Sequence, residues 1–295
     1  MDTVATTFDS VKFLQECAKF ATKNRQKLLR QLVKKAWFQA TDPSLQMEVA
    51  NLPQSGSANC DGFIENLIRR DDIIGDIKTN RLLSLPRGNF ILCPVFEVES
   101  TLTHLVYTYE YAAYRYAVPT GAKGLVFVRE NREAEPTHFI ILSGEKFATS
   151  EMTYELMGGF ADTEGDAEVT SGIVNEIQEE TGVKNLEIDE IILLGTVVVD
   201  PGLSSHEAHL YAAYITPKEA KRISVNAKNI DDKELTTYVH VLPLSALPDV
   251  LHDTTNGILL ATATKAYING LIPKQFCIKE PSSFTLKPRK TTIRI

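Results

Sequence analysis

The sequence predicts an α/β protein, a helical N-terminal region followed by a mixed β-sheet covered by helices. Three observations predict it. Apolar residues recur at helical spacing over roughly the first 70 residues, and the character changes to short β-rich runs after LPRG at residues 85–88. From there to about residue 270, strand and helix patterns alternate irregularly.

Over residues 9–37 apolar positions fall at Val11, Leu14, Ala18 and Ala21, then at Leu28, Leu29, Leu32, Val33 and Ala36. That is one long or two short amphipathic helices, with Asp9 or Ser10 as N-cap and Trp37 in the core. The turn-rich NLPQSGSANCDG separates them from a second helical patch, FIENLIRR, so residues 1–85 form the expected helical region. Residues 86–280 form the second expected domain, and the Pro-, Ser- and Lys-containing stretch 281–295 a tail.

In the second domain FILCPVFEV, HLVYTYEYAAY, GLVFVRE, HFIILSGE and TYELM read as strands. Tyr107, Tyr109 and Tyr111 alternate at period two and share a strand face, where they either stack on a purine or pack the sheet. Strands IILLGTVVV, AHLYAAYIT and TTYVHVLPL follow, then a helix from about Gly257 to Tyr267 closed by Gly270.

Composition narrows the class. Hydrophobic content of 43% with 23% charged residues belongs to a soluble globular protein. A net charge of −7 leaves no basic field to gather a phosphate backbone, so no nucleic-acid partner is expected. MDTVATTFDS has no secretory-signal pattern, and no apolar run approaches the roughly 18 residues of a membrane span. The expectation is a cytoplasmic protein without a membrane partner, able to form a homodimer. Cys17, Cys60, Cys93 and Cys277 make no CxxC pair and read as reduced, buried thiols.

The chemistry concentrates at NEIQEETGV, residues 175–183. A helix from about Ala167 to Gly182 buries Val169, Ile173, Val174 and Ile177, and places Glu176, Glu179 and Glu180 within an arc of roughly 100°. Glu176 and Glu180 repel at i, i+4, and all three glutamates oppose the helix dipole. On its own the cluster is either a solvated helix face or a site for a hard divalent cation, which turns that repulsion into attraction. Upstream, TYELMGGFADTEGD supplies a strand, the Gly158-Gly159 turn and an acidic loop, and glycine there lets the backbone approach a ligand.

Strand, glycine turn, acidic loop and glutamate helix together resemble the Nudix box, G-x5-E-x7-R-E-U-x-E-E-x-G-U with U aliphatic. EIQEETGV at residues 176–183 matches its last eight positions, while Asn175 stands where the family has arginine. Two extra residues between Gly159 and Glu176 leave Glu164, Asp166 and Glu168 as candidates for the earlier glutamate. The resemblance covers about residues 120–270 and implies an α/β/α sandwich.

It further implies hydrolysis of the pyrophosphate bond in a nucleoside diphosphate linked to another moiety. ADP-ribose, giving AMP and ribose 5-phosphate, is the first candidate, because TYELMGGF and DPGLSSHEAHLYAAYI resemble ADP-ribose pyrophosphatases. It implies Mg2+, with Mn2+ as a substitute, on Glu176, Glu179, Glu180 and the Gly159 carbonyl. Glu179 and Glu180 are then catalytic. Glu234, followed by Asp232 and Asp231, is the candidate general base, and Pro201, Gly202, Ser205 and Glu207 are substrate contacts. The alternative is a Nudix module impaired by Asn175, one that binds a nucleotide diphosphate or a protein partner without turnover. His209 shares a strand face with Glu207 and His206 does not, which disfavours an HxxH metal pair.

Overall fold

The structure is a computed structural model that describes residues 8–115, 121–146, 148–160, 166–223, 228–229 and 237–274. The chain divides into two compact units, residues 1–120 with 200–206, and residues 121–199 with 207–295. The first unit therefore runs past the change of pattern at residue 85 and takes in a short segment from far downstream.

Five helices open the first unit: α1 (Ser10–Cys17), α2 (Lys23–Leu32), α3 (Ala36–Gln39), α4 (Pro43–Ala50) and α5 (Asp61–Arg69). Side-chain caps start three of them. Asp9 accepts the Lys12 N–H at 3.0 Å, Thr22 the Arg25 N–H at 3.2 Å and Asp42 the Ser44 N–H at 2.8 Å. Leu29, Leu32, Trp37, Phe38, Phe63 and Leu67 are fully buried between the helices. Arg25, equally buried, pairs with Asp61 at 2.6 Å and donates to the carbonyls of Ala50, Leu52 and Pro53, so each of its three guanidinium nitrogens donates.

The strands of this unit are β1 (Ile73–Ile74), β2 (Ile77–Ser84), β3 (Ile91–Leu92), β4 (Val95–Ser100), β5 (Val106–Glu110) and β6 (Ala113–Tyr114). An antiparallel sheet runs β1-β2-β4-β5, and β3 pairs with β6. Two strands thus lie inside the span expected to be helical. The expected FILCPVFEV strand is broken between β3 and β4 around Pro94, which has no N–H for a ladder. Phe96 joins the helical core, its ring meeting Trp37 edge-on at 5.3 Å. The three tyrosines do not share one strand face: Tyr107 is exposed on β5, and Tyr111 lies just past the end of that strand. Tyr111 is buried and stacks on Phe96, and Tyr109 donates its hydroxyl to the Gly202 carbonyl at 2.6 Å.

The second unit contains β7 (Gly121–Val128), β8 (His138–Lys146), β9 (Glu151–Glu155), α6 (Asp166–Thr181), β10 (Glu190–Val198), β11 (Glu207–Ile215), α7 (Pro217–Arg222), β12 (Lys228–Asn229), β13 (Thr237–Pro243), α8 (Leu247–Asp253) and α9 (Gly257–Ile268). The sheet order is β10-β11-β7-β8-β13-β12, with β9 also on β8. β11 and β7 are parallel and the other pairings antiparallel, which makes the sheet mixed as expected.

Period-two alternation sends Ala122, Val126 and Val128 of β7 to one face, where Ile173 and Ile177 of α6 cover them. Leu125 and Phe127 point to the other face, against Leu247 and Val250 of α8 and Leu259 and Ala266 of α9. Helices on both faces of the sheet give the expected α/β/α sandwich. Asn256 caps α9 by accepting two N–H groups, from Ile258 at 3.0 Å and Leu259 at 3.1 Å. Asn256→Ala is therefore expected to cost about 1 kcal/mol, read as a lower urea midpoint with unchanged slope. No helix among the described residues is long and apolar enough to cross a membrane.

Candidate active site

The glutamate helix is positioned by its apolar side. Ile173 and Ile177, one turn apart, are fully buried against β7, and Gly124 leaves the Ile173 Cδ1 room to do so. Thr181 returns its hydroxyl to the Ile177 carbonyl at 2.6 Å, and Gly182 ends the helix in the left-handed region at φ +69°. With that face committed to the sheet, Glu176 and Glu180 point along its edge toward the turn after β9.

That turn is held closely to β7. The Gly124 N–H donates to the Met157 carbonyl at 2.8 Å and the Ala122 N–H to the Gly159 carbonyl at 3.1 Å. Gly158 adopts φ +126°, and a Cβ on it would lie 2.1 Å from the Ala122 carbonyl oxygen. A Cβ on Gly159 would lie 2.2 Å from Glu176 Oε1. The two glycines are the reason the turn and both carboxylates can share the space.

Glu180 accepts the Gly158 N–H at 2.8 Å. Burial pushes its carboxyl up to about 8, the charges of Glu176 and Glu155 push in the same direction, and Lys123 and the Gly158 N–H pull it down. Lys123, on β7, also donates its ammonium to the Gly158 carbonyl. Glu155, at the end of β9, pairs with Lys146 at 2.6 Å.

The structure thus brings Glu176, Glu180 and the Gly158-Gly159 turn together. Glu179 is exposed and lines a shallow hollow of about 310 Å³ with Asn175, Gln178, Gly182 and Lys184. Among the described residues no three His, Cys, Asp or Glu side chains are grouped to hold an ion. The donor chemistry suits a hard cation nonetheless: two oxygen ligands from adjacent helical turns, one of them held far above the usual carboxylate range chiefly by burial.

Pro201, Gly202 and Ser205 belong to the first unit. There Asp200 accepts the Gly202 and Leu203 N–H groups at 3.0 and 3.2 Å, and the Ser205 N–H donates to the Ala112 carbonyl at 3.0 Å. His206 packs on Tyr114 in the same unit, 4.9 Å between rings. Glu207 heads β11 in the second unit, half-buried, with His209 buried two residues on. Glu164, Asp231, Asp232 and Glu234 lie outside the described residues, as do the side chains of Asp166 and Glu168. Lys123 carried no sequence signal, since only the β7–turn contact brings it to Glu180.

The fold is of the Nudix-like class. A solved structure described as an ADP compounds hydrolase aligns over 67% of this chain and 97% of its own length, with a TM-score of 0.50 and 14% sequence identity. No protein-family description matches the sequence, and no curated protein matches it.

Proposed function

We propose that this chain is a metal-dependent hydrolase of the pyrophosphate bond in a nucleoside diphosphate linked to another moiety, with ADP-ribose as the first substrate to test. The observation that carries the reading is Glu180, seated on the Gly158 N–H with Glu176 beside it against Gly159. The likeness in fold to an ADP compounds hydrolase supports the same class. Glu176 and Glu180, with the second lone pair of the Gly159 carbonyl, would hold Mg2+, or Mn2+ in its place, and Glu179, exposed on the solvent side, keeps its ligand and catalytic assignment on the sequence resemblance alone. When bound, the ion offsets the diphosphate charge and acidifies water.

The chain's own residues do the rest. The Gly158 N–H fixes the Glu180 carboxylate, and Lys123 ties down the turn while its charge favours the ionised form of that carboxylate. Asn175 is exposed in the hollow beside Glu179 and can offer only a neutral hydrogen bond where the Nudix box has arginine. Glu234 keeps the general-base assignment, and Pro201, Gly202, Ser205 and Glu207 the substrate contacts, on the sequence resemblance alone.

The test is chromatographic product analysis of ADP-ribose, nucleotide sugars and dinucleotides incubated with the protein and magnesium. Metal-dependent AMP release supports the hydrolase. Nucleotide binding without release from any substrate sinks it in favour of an impaired binding module, the reading that the exposed Asn175 favours. Lys123→Met is expected to lower turnover about tenfold and to move the acid limb of the pH–rate profile upward, because the charge that pulls the Glu180 carboxyl down is lost.

A further inference from the structure

The first unit holds a second concave site, independent of the hydrolase reading. A cavity of about 360 Å³ opens between the end of α4 and the turn before β3. Its apolar wall is Leu52, Pro53 and Leu92, and its polar wall is Arg87, Asn89 and Arg115. Two arginines line the space, and no Asp or Glu lines it among the described residues.

The two cations are placed differently. Arg115 is only 8% exposed, donates Nη1 to the Asn89 carbonyl at 2.8 Å, and lies over the Phe90 ring at 4.7 Å. Stacking and hydrogen bond together fix the plane of its fork. Arg87 is exposed and forms no ion pair or side-chain hydrogen bond among the described residues. It rides on a turn pinned at several points, with the Gly88 N–H on the Ile91 carbonyl at 2.8 Å, the Cys93 N–H on the Pro86 carbonyl at 2.8 Å and the Arg115 N–H on the Phe90 carbonyl at 3.3 Å.

The carboxylate on the neighbouring helix is already committed. Asp61 accepts Arg25 Nε on one oxygen at 2.6 Å and Asn24 Nδ2 on the other at 2.8 Å. Its charge is balanced by the buried Arg25. A concave wall with two guanidiniums concentrates field and matches an oxyanion bidentately. The apolar wall opposite suits the carbon part of the ligand. The volume lies at the small end for ligand sites, which fits a single phosphate on a small organic group and is tight for a dinucleotide.

We infer that this cavity binds a small phosphomonoester, its phosphate between Arg87 and Arg115 and its organic part against Leu52, Pro53 and Leu92. The full chain, in buffer with a chelator so that no cation recruits anions to the glutamate helix, is titrated calorimetrically with ribose 5-phosphate, inorganic phosphate and ribose. One mole of ribose 5-phosphate is expected to bind per chain, more tightly than inorganic phosphate, and ribose not at all. Arg87→Gln should weaken binding about tenfold or more, the loss of one charge-assisted pair, with an unchanged circular dichroism spectrum. Lys123→Met, in the other unit, should leave the titration unchanged. Absence of binding up to about 10 mM, a concentration that would reveal weak millimolar affinity, overturns the inference. So does an affinity that Arg87→Gln does not alter, or inorganic phosphate binding as well as the ester.

Discussion

Glu180→Gln is expected to reduce metal-dependent AMP release by at least about a thousandfold, some 4 kcal/mol of transition-state stabilisation. The amide keeps the shape and can still accept the Gly158 N–H, so the turn should stay in place. What disappears is the negative oxygen that the proposed ion needs. Turnover within about tenfold of the native rate would remove Glu180 from the site altogether.

The same substitution carries a stability signature of opposite sign. The Glu180 carboxyl rises from its ordinary 4.5 to about 8 in the fold. Between those values the folded chain holds a proton that the unfolded chain has released, so stability falls as pH rises through that window. Without metal, the native protein should lose on the order of 2–4 kcal/mol between about pH 5 and 8 from this group, and Glu180→Gln should flatten that slope. Urea unfolding of both proteins in chelator at several pH values measures it. Parallel pH profiles would mean that the carboxyl is not held in its neutral form.

Gly158→Ala is the second large effect, an expected loss of about 3–5 kcal/mol of stability together with most activity. At φ +126° an alanine is strained, and its Cβ would sit 2.1 Å from the Ala122 carbonyl and 3.0 Å from Ile173 Cδ1. The first neighbour is backbone in the middle of the sheet, so the turn must move, and with it the N–H that seats Glu180. Gly172→Ala on α6 is the matched control. Nothing lies within 4 Å of its would-be Cβ, so the change should be neutral or stabilising by up to about 1 kcal/mol. Thermal unfolding of the pair separates the two, and equal midpoints would refute the crowded-turn account.

The glutamate helix was legible because two independent signals coincide in EIQEETGV: a 3.6-residue apolar period and a terminal glycine. The same periodicity put all three carboxylates on one arc, but an arc of that width spans two environments. Glu180 falls on the side of the turn and Glu179 on the side of solvent, a distinction that depends on how far Ile173 and Ile177 sink against β7. Strand β2 escaped notice because IKTNRLLS mixes exposed apolar with half-buried polar positions and so lacks clean alternation. Lys123 and the two-arginine cavity depend on contacts between segments distant in sequence, which no local pattern encodes.

The segment 200–206 has a consequence for how the chain is made. It leaves the second unit after β10, exchanges backbone hydrogen bonds with Ala112 through Leu203 and Ser205, receives the Tyr109 hydroxyl at Gly202, and then re-enters as β11. During synthesis the first unit therefore emerges long before its last piece, with β7 to β10 of its neighbour translated in between. A ribosome-bound chain arrested before residue 200 should present Tyr109 and Ala112 without these partners, and a fragment ending at residue 120 inherits the same deficit. The two units are compact in space but interleaved in time, so neither can be finished, or cleanly excised, without the other.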